Sequence, residues 1–567
     1  MGHKRWLYVA GVSLLPLALI ACSSGNNGNS SKSTNGAAPA ASAAAAAATS
    51  TGGSPAAGAS AAAKPASPTA AAAKIRRGGT LVVTTATDAA GFDPMVRSDV
   101  YGGYLSANVF EGLVQFDENL KPVGWLADNW EISPDGKTYT FHLHKGIKFH
   151  DGTDFNAQAM KFSMDRIRGN KASIGYSDCG DNIVLSTEAV DDYTFRLTLA
   201  DPYAPFLTKL TSRCGAAVSP AAVRKQGDDD FGLHPVGTGP FKFLEWKKDD
   251  HFTVVKNENY WRMGADGKPL PYLDKVTWRV MTDSNGRLQA LVNQEIDILQ
   301  VAADKDVATI KSNPSLDLAQ APGFGYTGFV LNVSKPPFNN KALAQAVAYA
   351  TDRDEYIRVI QQGLRPRADN GTIPPTLSWA IDSSYVPYTY DLAKAKAKLA
   401  EGGYQSGGFS FTLLAETSDP VTQQALELLQ SQYKKAGIDM KIESGSFNDV
   451  VLPRAKKGDF EAANTTVTGG IDPDTWIFGT FHTDGNLNRS HFSDPEVDRL
   501  SEDGRKEQDL NKRGEIYKRA EKLIMDRSPW IMISYSVDRF TGRKVVQVWY
   551  VGQKATAGYS EYWKTAD

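Results

Sequence analysis

The sequence predicts an α/β protein. Three observations predict it. Short runs alternate apolar and polar residues with the period of a half-buried strand. Other segments carry helical periodicity between recognisable caps. In the second half of the chain the two kinds follow one another in turn, which implies helices layered on a sheet. At 567 residues the chain has length for several domains.

The first elements are not part of the fold. His3, Lys4 and Arg5 precede an apolar run from Trp6 to Ile20, and Leu19-Ile20-Ala21-Cys22 ends it. This reads as a signal peptide over 1–21 whose last site resembles a bacterial lipobox, with Cys22 as the lipidated first residue of the mature protein. The alternative is an uncleaved spanning helix. The run is about 15 residues against the roughly 20 a span needs, and Pro16 interrupts it. Residues 22–74 hold almost only Ala, Ser, Gly, Pro, Thr and Asn, and cannot bury enough surface to offset their ordering entropy. They read as a disordered tether with a typical reach of about 40 Å.

From Gly78 the elements are structured. Thr80–Thr84 reads as a strand. Tyr139, Phe141 and Leu143 alternate in one run, and Tyr193, Phe195, Leu197 and Leu199 in another. Asn156 caps a helix that places Met160, Met164 and Ile167 on one face, with Gly169 beyond its end. Asn340 precedes a helix with Leu343, Val347 and Ala350 on one side. Asp419-Pro420 is an N-cap and first-turn pair for a helix carrying Val421, Ala425, Leu428 and Leu429, which stops at Gly437. Ile438–Ile442 follows as a strand.

Composition narrows the function classes. A formal net charge of −2 and no basic stripe give no sign of a nucleic-acid partner. Aromatic residues make up 10% of the chain, suited to a surface that grips ligands by stacking and edge contacts. With Cys22 lipidated, Cys179 and Cys214 remain, and in an exported chain such a pair favours one disulfide over a metal site or a reactive thiol pair. There is no GxSxG, HExxH or GxxxxGK[ST] pattern. His142 and His144 share a strand face and could chelate zinc with His150 nearby. That face opposes Phe141 and Leu143 and reads as solvated, so no metal and no cofactor is expected.

From Gly78 to its end the chain resembles the family 5 extracellular solute-binding proteins, the dipeptide, oligopeptide and nickel components of ABC importers. The landmarks occur in order: Gly78-Gly-Thr-Leu81, Phe92-Asp-Pro94, Val109-Phe-Glu-Gly-Leu-Val114, Leu126-Ala-Asp-Asn-Trp130 and Asp135-Gly-Lys-Thr-Tyr-Thr-Phe141. Then come Lys145–Gly152, Val236-Gly-Thr-Gly-Pro-Phe241, Asn257-Glu-Asn-Tyr-Trp261 and Pro337-Phe-Asn-Asn340. Two pieces have a physical reading of their own. Ser133–Gly136 is a turn between strands. Gly237–Pro240 is a close approach where side chains would clash.

The resemblance implies a two-lobed periplasmic-binding-protein-like fold, class II, of the large cluster with an extra subdomain in the first lobe, closing about a hinge. It places lobe 1 at 75–322, lobe 2 at 323–529, and a return to lobe 1 at 530–567, with Trp530–Tyr535 as the returning strand. It implies a receptor, not an enzyme, that hands a peptide or small organic solute to an ABC permease. The protein would be a monomer, lipid-anchored on the extracellular face of a cell membrane of Gram-positive or actinobacterial type. A surface enzyme or a sensory receptor on the same scaffold are the alternatives.

The family's ligand-contacting segments fall here on Ser98–Tyr104, Gly323–Tyr326 and Thr468–Trp476. The candidates are Tyr101, Tyr104, Tyr326, Gly469, Gly470, Trp476 and His482; packing is the rival role for each tyrosine and for Trp476. Peptide-binding members carry an aspartate where alignment places Gly469, so the usual contact with a peptide's amino group is in question. Asp472 or Asp474 could substitute or could cap the next helix, and the glycine pair would offer backbone amides to an anion or a carbonyl oxygen. His482 sits near where nickel-type members place a histidine on a mobile loop; a surface-loop histidine is its other reading.

Overall fold

The computed structural model describes residues 75–98, 100–117, 119–418, 420–465, 470–547 and 558–566. The leader 1–21, Cys22, the stretch 22–74, Asp419 and Gly469 lie outside the described residues.

A ten-stranded sheet organises the molecule. In spatial order it runs Phe241–Lys247, His251–Lys256, Lys275–Val280, Thr80–Thr85, Ile298–Leu299, Trp530–Arg543, Leu316–Leu331, Ala462–Ala463, Phe409–Ala415 and Ile438–Ser444. The strand expected at Thr80–Thr84 lies parallel to both its neighbours. At the other end Phe409–Ala415 is parallel to Ile438–Ser444. Between these two parallel regions stand two long antiparallel strands, Leu316–Leu331 and Trp530–Arg543.

A second, four-stranded antiparallel sheet contains both alternating runs, as Thr138–Leu143 and Thr194–Leu199. Their apolar positions are buried and the positions between are half-buried. The turn before the first is closed by Gly136 N–H donating to the Ser133 carbonyl at 2.8 Å, with Gly136 at φ +70°. Helix Ala157–Arg168 packs on this sheet, with Asn156 accepting from Ala159 N–H and Met160, Met164 and Ile167 buried. Cys179 and Cys214 form a disulfide here, with Cα atoms 6.1 Å apart.

Helix Lys341–Ala350 has the predicted cap, Asn340, but not the predicted single face: Ala342 to Ala348 and Ala350 are all buried. Helices Leu392–Glu401, Pro420–Ala436 and Leu510–Arg527 all pack on it, and its alanines let them approach. Helix Pro420–Ala436 buries Ala425, Leu426, Leu429 and Tyr433, leaving Val421 and Leu428 half-buried, so its inward face is rotated from the expected stripe. It ends at Gly437, φ +86°.

The apolar interior divides into two large cores. One draws on residues 81–298 with Val546, Tyr559 and Tyr562; the other on residues 324–535. The strand expected over Trp530–Tyr535 therefore begins in the second core and runs on to Arg543. The second core's buried residues run to Tyr535, and those of the first core resume at Val546.

The sequence landmarks converge on buried polar groups of the first core. The Glu111 carboxylate accepts from Trp125 Nε1 (2.8 Å), Thr238 Oγ1 (2.8 Å), Tyr260 Oη (2.7 Å) and Trp261 Nε1 (3.2 Å). Burial raises its pKa, and these donors pull the other way. The Gly239 carbonyl faces His150 Nε2 (2.9 Å) and accepts from Asn257 Nδ2 (3.0 Å). Burial drives the His150 pKa down to about 4. A Cβ on Gly237 would be driven into the Val109 carbonyl, which is the close approach foreseen for this motif.

The two cores also touch directly. Tyr203 Oη donates to Asp474 Oδ2 at 3.0 Å, and Ala204 N–H donates to the Arg505 carbonyl at 2.7 Å. The Arg505 guanidinium lies over the rings of Tyr203 (4.7 Å) and Phe478 (3.8 Å), with its Nε 3.2 Å from Asp474 Oδ1.

Gly237→Ala should destabilise the protein by about 3 kcal/mol, because a packed backbone must move; urea unfolding measures it. Tyr203→Phe removes one buried hydrogen bond between the cores, about 1–2 kcal/mol. Small-angle scattering of the solute-free variant should give a larger radius of gyration than wild type.

Candidate functional site

The two long strands carry the chain between the cores, and the candidate residues of the second core gather beside them. Tyr326 lies in Leu316–Leu331, buried at 3% exposure. Its ring is 5.8 Å from that of Trp476 and meets Trp530 edge-on at 5.4 Å. Trp476, in the first turns of helix Pro473–Phe481, is fully buried, and its Nε1 donates to the Gly470 carbonyl at 2.8 Å. Gly470 is buried against Thr475, where a Cβ would fall 2.5 Å from the threonine Cβ. The structure thus brings Tyr326, Gly470 and Trp476 together as one packed unit. Trp476 presents no surface to a cleft here; its indole is spent on packing and on holding the turn before its own helix.

The Tyr326 hydroxyl has no hydrogen-bond partner among the described residues. Burial raises its pKa well above the usual value, with further rises from Glu521 and Tyr535. Glu521 accepts from Thr372 N–H and, at 2.9 Å, from Thr372 Oγ1. Burial pushes its carboxyl up to about 7. Tyr535 Oη donates to the Gly371 carbonyl at 2.8 Å.

Asp472 and Asp474 are committed to structure. Asp472 caps helix Pro473–Phe481 and takes both its oxygens to Arg513, at 2.8 and 2.5 Å, in a buried bidentate pair. Removing one partner of such a pair costs about 3–5 kcal/mol. Asp474 faces Tyr203 and Arg505. Both carboxylates are buried, and Asp474 Oδ1 has no hydrogen-bond donor among the described residues.

His482 is buried rather than on an exposed loop. It is 7% exposed, stacks on Phe478 at 4.3 Å, accepts from Asp484 N–H at 3.0 Å and lies 3.4 Å from Glu502 Oε1. It is a packed residue at the end of helix Pro473–Phe481, about 9 Å along the axis from Trp476. His142, His144 and His150 are also separately engaged: His142 lies 3.7 Å from Glu131, His144 2.7 Å from Asp128, and His150 is against Gly239. Among the described residues no group of three or more His, Cys, Asp or Glu could hold a metal ion.

In the first core Tyr101 and Tyr104 sit on helix Val100–Val109, both half-buried, their rings edge-to-face at 6.1 Å. Tyr104 packs on that core, and Tyr101 lies within electrostatic reach of Arg287.

Sequence reasoning missed four polar residues of this core. Thr84, Thr85, Ser284 and Gln300 are all under 5% exposed, and each has a side-chain oxygen without a partner. Thr84 and Thr85 end strand Thr80–Thr85, Gln300 follows Ile298–Leu299, and Ser284 opens the helix after Lys275–Val280. All lie at the carboxyl ends of parallel strands, where open α/β sheets collect ligands. The Thr84-Thr85 pair within a strand was the one legible signal.

Comparison with known proteins agrees with this architecture. Residues 121–488 match the model of the bacterial extracellular solute-binding proteins, family 5 Middle. The glutathione-binding protein GsiB of Pectobacterium atrosepticum is 30% identical over 462 residues, covering 80% of this chain and 88% of that one. Among solved structures, the periplasmic binding protein DppA of Helicobacter pylori, in complex with the peptide STSA, has a TM-score of 0.73 and 29% identity, over 86% of this chain and 98% of that one. AgaA of A. tumefaciens R10, in complex with agropinic acid, has a TM-score of 0.72 and 27% identity, over 86% of this chain and 99% of that one. No helix among the described residues is long and apolar enough to cross a membrane. The chain belongs to the family 5 extracellular solute-binding proteins: it is a two-lobed, extracytoplasmic solute-binding protein of an ABC importer, and not an enzyme.

Proposed function

We propose that this protein is a lipid-anchored receptor that captures a peptide or small organic solute between two lobes and delivers it to an ABC permease. The observation that carries the reading is the pair of long strands joining two separate cores, with buried, unpartnered polar atoms in each core. Lobe 1 takes residues 75–322 and the return segment, and lobe 2 runs from 323 through Tyr535, the last residue of the second core. Solute contacts both lobes only when they close, so binding shifts the population towards closure. The relatives support the ligand range: one is named for glutathione, one holds the peptide STSA, and one holds agropinic acid.

Cys22 supplies the lipid anchor and residues 22–74 the tether, which keeps a monomeric receptor near its permease on the outer face of the membrane. A tether of this length supports a thick-walled cell of Gram-positive or actinobacterial type.

Purified protein with glutathione, the dipeptide Ala-Ala or agropinic acid should melt at a higher temperature and return the solute chemically unchanged. At one hundred times Kd the stabilisation is about 2.7 kcal/mol. No rise with any of the three, or turnover of one, would sink the reading. Cys22→Ser should release the protein into the medium with solute affinity unchanged, as cell fractionation and calorimetry would record.

A further inference from the structure

Asp538 stands in strand Trp530–Arg543 where the chain passes between the cores. The pairing with Leu316–Leu331 sets Tyr326 against Tyr535 and Pro322 against Val537, with a second register shift beyond, between Thr327 and Gly328. Between those pairs, Gly323, Phe324 and Gly325 face Ser536 alone, so the ladder bulges open. A Cβ on Gly323 would lie 2.8 Å from Asp538 Oδ1 and would also strike the Ser536 hydroxyl. The carboxylate occupies space that a side chain at 323 would otherwise fill.

Ser534, Ser536 and Asp538 alternate onto one face of the strand. Ser534 is fully buried and its hydroxyl has no partner. Asp538 is half-buried, and among the described residues nothing pairs with it or donates to it. The next residue, Arg539, points to the opposite face and is committed to Asp304, Gln320 Oε1 (2.9 Å) and the Leu364 carbonyl (2.8 Å). Arg365 is likewise held by Asp304 at 2.8 Å, and Arg367 by Asp354 and Asp369. Burial alone pushes the Asp538 carboxyl up to about 6, with no neighbouring charge to offset it. A desolvated acid in that condition calls for a cation from outside the fold. An ammonium group fits beside the Asp538 carboxylate and the Ser536 hydroxyl, whose oxygens converge on the same point at Gly323.

We propose that Asp538, with Ser536, receives the cationic amine of the solute at the crossing between the lobes. The proposal rests on the receptor reading above and names the group of the solute that is recognised.

Calorimetry on the purified protein tests it with glutathione and Ala-Ala, each beside its N-acetyl form. The free amines should bind wild type at least about 30-fold more tightly than the acetylated forms. Asp538→Asn should weaken the free amines by a similar factor and the acetylated forms little. Its melting curve reports folding separately, and at pH 7.5 it should melt no lower than wild type, because it removes an uncompensated buried charge. Equal binding of amine and acetylated forms, or unchanged amine affinity in Asp538→Asn, overturns this inference and leaves the receptor reading standing. No binding of any probe overturns both.

Discussion

Two antiparallel strands, Leu316–Leu331 and Trp530–Arg543, are the constraint on which the rest of this molecule depends. They are the centre of one sheet whose flanks belong to different cores. Their backbone hydrogen bonds leave no freedom to slide at either end, because each end is also paired into a parallel region through Ile298–Leu299 or Ala462–Ala463. The ladder is irregular at two neighbouring places, opposite Ser536 and between Thr327 and Gly328.

The landmarks of the sequence serve the opposite purpose. Glu111, Thr238, Tyr260 and Trp261 lie far apart in the chain yet meet at one buried carboxylate. A buried charge with four donors is tolerated, whereas one with fewer would cost several kcal/mol. Such a cluster holds distant loops in register and says nothing about the solute. The same is true of Asp472 with Arg513 and of Gly237 against Val109.

The candidate site was legible in part. The neighbourhood of Tyr326, Gly470 and Trp476 is real, since all three pack together. Their accessibility was not legible. A tryptophan six residues from a glycine reads equally as a cleft wall or as the lid of its own turn, and only the indole's bond to Gly470 decides for the turn. The loop position of His482 in the sequence carries no sign of its burial, which comes from stacking on Phe478. Asp538 passed unnoticed for a related reason: its lack of a partner is a property of the surroundings, and one acid among 64 acidic residues carries no mark in the linear chain.

By itself the sequence determined the local elements and the family. Period-two alternation, caps at Asn156 and Asn340, and the turn at Ser133–Gly136 are short-range facts, set by residue chemistry within a few positions. It also carried the order of the landmarks, and with it the two-lobed plan. Tertiary structure alone decided which face of helix Pro420–Ala436 turns inward, why helix Lys341–Ala350 is buried all round, and where the chain returns between the cores. It also decided which carboxylates are spent and which stands unpaired. Those outcomes depend on what the remainder of the chain brings against a residue, and burial and partnership are set by contacts hundreds of positions apart, beyond the reach of any local pattern.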